Sequence, residues 1–213
     1  MRGRLCGEKI ANGEALPVSG IGARGRLCGE EAIMRMKKAI FWDLHGTLGG
    51  EAAGKIEEFE PFGFALEALA RAAETGFLNI IVTNQSRIGR GEMTLETYKA
   101  HEGRILGLFG GLADEMLCCP HTGADGCDCK KPKPGLVLHC AEKYGLALEK
   151  CWIVGDMGKN EIVLAKNAGC RGALVLTGGG KGSLGEFRHT WQGFEADLIA
   201  GNALEAIEKI IKI

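Results

Sequence analysis

The chain has 213 residues, 46% of them hydrophobic and 25% charged, with 26 basic side chains against 27 acidic ones. That length suits about one domain of ~100–200 residues. The balanced charge excludes a generic electrostatic grip on nucleic acid or an anionic membrane, so neither is an expected partner. No apolar run approaches the ~20 residues of a membrane helix, and no signal-peptide pattern opens the chain. Nine cysteines at uneven spacing fit a reducing, cytoplasmic setting, where thiols bind metal or fill cores.

Residues 1–35 read differently from the rest. They lack a helical or strand period, and Arg2-Gly-Arg-Leu-Cys-Gly-Glu8 recurs as Arg24-Gly-Arg-Leu-Cys-Gly-Glu30. Two copies are too few for a stacked repeat. The expectation is a weakly ordered N-terminal extension, with translation starting at Met34 or Met36. Residues 36–213 then form one domain.

From Lys37 onward short apolar runs alternate with amphipathic stretches. Strands are predicted at Ala39–Trp42, Asn79–Val82, Cys151–Val154, Ala173–Leu176 and Asp197–Ala200, each suited to burial on both faces. Helices are predicted at Phe64–Thr75, Thr94–Leu108, Leu136–Tyr144, Glu161–Ala168 and Ala203–Ile213, with Thr94 and Asn202 as caps and glycines as stops. Gly178-Gly-Gly-Lys181 reads as a turn on the rim that carries the site. The alternation implies an α/β fold, a doubly wound parallel sheet with no large cap domain. Such sheets bind ligands beyond the carboxyl ends of their strands.

Those ends are polar. The first strand runs into Asp43-Leu-His-Gly-Thr47, the second into Thr83-Asn-Gln-Ser86, the third into Gly155-Asp156. Two carboxylates meeting in one crevice repel unless a cation lies between them, which suggests a hard ion such as Mg²⁺. Lys131 brings positive charge, and the set suits phosphoryl transfer, which is largely positioning and charge neutralisation.

Between these motifs, Cys119-Pro-His121 and Cys127-Asp-Cys129 place three thiols and an imidazole within eleven residues. Four such ligands in two close pairs suit a tetrahedral, structural Zn²⁺ in a loop spanning 118–131. The alternative, a loop disulfide, is disfavoured in a reducing compartment. The loop is expected to deliver Lys130 and Lys131 to the site.

The order Asp43-x-His-Gly-Thr47, Val82-Thr-Asn-Gln-Ser86, Lys131-Pro and Gly155-Asp156 resembles the four motifs of the haloacid dehalogenase (HAD) phosphatases. It is most similar to the branch acting on heptose bisphosphate, with a histidinol-phosphate branch beside it. The resemblance covers roughly Lys38 onward. It implies a Mg²⁺-dependent phosphomonoesterase for a small phosphorylated sugar, probed here as heptose 1,7-bisphosphate at its 7-phosphate and working as a monomer. By that resemblance Asp43 is the nucleophile, and Thr83, Asn84, Lys130 and Lys131 contact phosphate or substrate. Mg²⁺ would be held by Asp43, Asp156 and the backbone carbonyl of His45. The chain departs from the pattern at two acidic positions. His45 stands where the family carries its proton-transferring aspartate, and Asn160 stands where another aspartate is usual. His45 either takes over proton transfer or marks a weakened relative that binds its ligand without turnover.

Overall fold

The structure, a computed structural model, describes residues 36–213. The expectations for 1–35 lie outside the described residues. In chain order the elements are β1 (Lys38–Trp42), α1 (Ala65–Glu74), β2 (Phe77–Asn84), α2 (Ser86–Gly89), α3 (Leu95–Leu108), β3 (Glu115–Cys119) and α4 (Gly135–Tyr144). There follow β4 (Trp152–Gly155), α5 (Gly158–Ala168), β5 (Arg171–Val175), α6 (Gly180–Leu184), β6 (Leu198–Ala200) and α7 (Ala203–Ile210). The strands form one sheet in the order β3-β2-β1-β4-β5-β6, and every neighbouring pair is parallel.

Alternation along β1 builds both layers. Ile40 and Trp42 face a core formed with α1, α3 and α7, whereas Ala39 and Phe41 face a second core formed with α4 and α5. Trp42 Nε1 donates to Asn79 Oδ1 at 2.9 Å, and Asn79 Nδ2 donates to Leu69 O and Leu112 O, so this buried amide is fully employed. The predicted caps are formed: Thr97 N donates to Thr94 Oγ1 and Glu205 N to Asn202 Oδ1, each at 3.0 Å.

Sequence reading gave five strands, and the sheet has a sixth, β3. Glu115–Cys119 lies at the sheet edge with three of its five residues only half-buried, so it lacks the continuous apolar run of the inner strands. The predicted glycine turn at 178–181 instead runs into α6. The strand order reverses direction between β1 and β4, and the crevice opens there, beyond their carboxyl ends. Among the described residues no helix is long and apolar enough to cross a membrane.

Candidate active site

Asp43 leaves β1 with its N–H donating to Val154 O at 2.9 Å, which fixes it at the seam with β4. The chain then turns through Gly46 at φ 78°, a left-handed conformation that favours glycine. A Cβ there would lie 2.3 Å from Asp156 Oδ2, so glycine also lets the turn approach the second carboxylate. Asp156 follows β4, is 1% exposed, and accepts from Gly179 N at 2.7 Å. Lys131 arrives from the far side of the sheet edge and is buried. Its Nζ donates to Asp43 Oδ1, to Glu161 Oε1 at 2.8 Å and to Val82 O at 2.9 Å. Thr83, buried beside Val82, accepts at its hydroxyl from Gln85 Nε2 at 3.2 Å. The structure thus brings Asp43, Lys131 and Asp156 together at the switch point, with Thr83 next along β2.

Three buried acids face this single ammonium. Burial, reinforced by Asp43, pushes Asp156 up to about 7. Burial likewise pushes Glu161 up to about 8, with Lys131 opposing and Asp43 and Asp156 adding to the rise. Burial alone would lower Lys131, but Asp43 and Glu161 outweigh it and hold the ammonium charged. An excess of carboxylate over cation, all hard oxygen donors, fits a divalent ion such as Mg²⁺ held by Asp43, Asp156 and a backbone carbonyl.

His45 lies under the loop that follows the first motif. Its ring meets Phe59 edge-on, with centroids 5.5 Å apart at 81°. Its Cδ2 is covered by the backbone at Gly50 and Gly54, where a Cβ would approach to 3.2 and 3.3 Å. Burial lowers its pKa against the pull of Asp43. Its Nε2 has no hydrogen-bond partner among the described residues, a polar atom in want of one. The loop above it is held down by Arg87, paired with Glu57 at 2.7 Å, and by Arg104, whose Nη2 donates to Ile56 O, Glu57 O and Phe59 O.

Two of the expected phosphate contacts are engaged elsewhere. Asn84 clasps the backbone of Lys131, donating to its carbonyl at 3.2 Å and accepting from its N–H at 3.0 Å. Lys130 donates to Ser86 Oγ and to His121 O, on the loop side rather than toward Asp43. Glu161 and Gly179, conversely, belong to the site although the motifs did not select them. Glu161 carried a signal: it is a charged residue on the buried stripe of α5, in register with Leu164 and Ala165.

The four predicted zinc ligands converge. The donor atoms of Cys119, His121, Cys127 and Cys129 lie within 4.8 Å of one another. The Sγ atoms of Cys119 and Cys127 are 3.6 Å apart, those of Cys119 and Cys129 3.3 Å, and His121 Nδ1 is 3.2 Å from Cys129 Sγ. Tetrahedral Zn–S bonds of about 2.3 Å imply ligand–ligand edges of about 3.8 Å, close to this arrangement. The hydrogen bond from Cys129, with those from His121 and Cys127, draws the Cys119 thiol down to about 5, toward the thiolate a metal needs. None of the seven described cysteines is disulfide-bonded. Cys140, Cys151 and Cys170 fill the core, as expected of them.

This loop is stitched to the second motif. Gln85 N donates to Cys119 O and Gly89 N to Pro120 O, each at 2.8 Å, and Ser86 Oγ donates to His121 O at 2.9 Å. With the Asn84–Lys131 clasp, the thiol-rich loop and the Thr83–Ser86 segment form one mechanical unit.

A parallel sheet of this order, with a paired aspartate crevice and a lysine reaching the first aspartate, defines a HAD-like phosphatase, and the chain belongs to that family of phosphoric monoester hydrolases. A family profile described as HAD-hydrolase-like matches residues 128–205. The chain is 38% identical over 153 residues to the D-glycero-beta-D-manno-heptose-1,7-bisphosphate 7-phosphatase of Pseudomonas putida, covering 69% of this chain and 87% of the relative. The bifunctional histidine-biosynthesis protein HisB of Legionella pneumophila matches at 34% over 128 residues, 57% of this chain and 36% of that one. Among solved structures, D,D-heptose 1,7-bisphosphate phosphatase from Bordetella bronchiseptica, complexed with magnesium and phosphate, superposes with a TM-score of 0.72 at 27% identity. That match covers 83% of this chain and 99% of the other.

Proposed function

We propose that the protein is a Mg²⁺-dependent cytoplasmic phosphatase that removes the 7-phosphate of a heptose 1,7-bisphosphate through an aspartyl-phosphate. The observation that carries this reading is the meeting of Asp43, Lys131 and Asp156 at the switch point, where acids outnumber the cation. The names of the relatives supply the sugar.

In this mechanism Asp43 attacks the phosphorus and the C7 alkoxide leaves, so that the phosphoryl group passes to the carboxylate. Lys131 and Thr83 hold the phosphoryl oxygens while charge spreads over them. Mg²⁺, held by Asp43, Asp156 and the His45 carbonyl, would supply further charge neutralisation when bound. The imidazole of His45 gives the leaving alkoxide its proton and then takes one from the water that hydrolyses the aspartyl-phosphate. Burial keeps the resting ring neutral. The dianionic phosphoryl group favours its charged form, so the proton is acquired as substrate arrives. The thiol cluster holds a structural Zn²⁺ that keeps Lys131 in place.

The test is phosphate release from a panel of sugar phosphates, with and without Mg²⁺. Heptose 1,7-bisphosphate should be the best substrate and should require the ion. His45→Ala should lower kcat by about a hundredfold or more. An unchanged kcat would remove His45 from the mechanism. Binding of inorganic phosphate with no turnover of any substrate would favour the second reading, a ligand-binding relative. That reading draws on the burial of His45 beneath Phe59.

A further inference from the structure

Glu161 has no role in the mechanism above, yet it is 1% exposed and lies against the reacting groups. A lysine ammonium carries three hydrogens, and Lys131 has three acceptors: Asp43 Oδ1, Glu161 Oε1 and Val82 O. Two of these, the Val82 carbonyl and the Glu161 carboxylate, come from the body of the sheet and from α5. Only the third belongs to the group that reacts. Glu161 is itself fixed, because its Oε2 accepts from Met157 N at 3.1 Å. The strand makes room for it: a Cβ on Gly155 would lie 2.1 Å from Glu161 Cγ, so a side chain there would expel the carboxylate. Asn160, one residue earlier on α5, is only half-buried and is uncharged.

We propose that Glu161 is a positioning residue. Together with the Val82 carbonyl it holds two hydrogens of the Lys131 ammonium from behind, so that the third is aimed at Asp43 and at the phosphoryl oxygen transferred there. The inference rests on the reading of Asp43 as the reacting carboxylate. A buried lysine held on one side only would swing within its cavity, and misplacement by about 1 Å costs on the order of a hundredfold in rate.

Glu161→Gln keeps the volume but replaces one of the two acceptors by a donor. Two measurements on the full-length enzyme test it. Turnover of heptose 1,7-bisphosphate should fall by about a hundredfold in kcat with KM unchanged within about twofold, since an oriented charge has been lost rather than a substrate contact. Competitive acetylation of the amines, read by peptide mass spectrometry, should show Lys131 labelled several-fold faster while the exposed lysines label as before. Gly155→Ala, which retains the charge but fills its space, should give the same two changes. A merely structural Glu161 would lower the melting temperature and leave kcat and Lys131 labelling at wild-type values, and that result overturns the proposal. Should the wild-type enzyme hydrolyse no phosphomonoester, the reading of Asp43 fails, while the labelling still decides whether Glu161 holds Lys131.

Discussion

Replacing Asp43 by asparagine is expected to reduce turnover by about a thousandfold or more while leaving the protein folded. The two halves of that expectation have separate causes. An amide oxygen is a far poorer nucleophile than a carboxylate and cannot carry a phosphoryl group through the second half of the reaction. The fold survives because the amide is isosteric and its oxygen still accepts from Lys131 Nζ, which Glu161 and Val82 O continue to hold. The substitution also removes one of three mutually repelling acids, which offsets part of the weakened ion pair. Phosphate release and a thermal melt, measured on the same preparation, check both halves. Turnover within tenfold of wild type would show that another group receives the phosphoryl, whereas an unfolded variant would show that the ion pair is chiefly structural.

The second large effect concerns a site that touches no substrate. Cys119→Ser, or removal of metal by a strong chelator, is expected to lower the melting temperature by about 10 °C, equivalent to roughly 3–5 kcal/mol for a domain of this size. Turnover should fall with it at temperatures where the rest of the domain is still folded. Cys119 ends β3, and its carbonyl, with those of Pro120 and His121, accepts hydrogen bonds from the Gln85–Gly89 segment. Once the thiols lose their common ion, the chain from Cys119 to Lys131 has few other restraints. Those are the Thr122–Asp125 turn, the Lys133 ammonium on Cys127 O, and the Asn84 clasp. Lys131 is then free to leave Asp43. Metal content by mass spectrometry must accompany the assay: one zinc per chain in the wild type and none in the variant. Full activity in the zinc-free variant would separate the loop from the chemistry.

Much of the site was legible because it sits where parallel-sheet physics places chemistry. Asp43 and Asp156 follow runs buried on both faces, and Thr83 closes such a run, so they stood out as polar residues at the ends of apolar strands. The ligands of the thiol loop were legible from spacing alone, since two close pairs bring soft donors together with little loop entropy. What escaped was information carried across the sheet. β3 was missed because an edge strand need not be apolar on both faces, and its cysteines looked like loop chemistry. The duties of Asn84 and Lys130 depend on which backbone lies opposite them, namely Lys131 and His121, and local sequence does not state that. Gly179 reaches Asp156 through its backbone N–H, an interaction invisible in residue type. Glu161 was readable in principle, as a charge on the apolar stripe of α5, but its partner is 30 residues away in the thiol-rich loop.

The central claim is that the carboxylate at the end of β1 becomes phosphorylated during turnover. Acid-quenching the enzyme with heptose 1,7-bisphosphate, reducing with borohydride and mapping peptides by mass spectrometry would test it in one experiment. The account predicts homoserine at position 43, the reduction product of an acyl phosphate, and aspartate at position 156. Turnover without modification at 43, or a phosphoryl group recovered on His45, would contradict it.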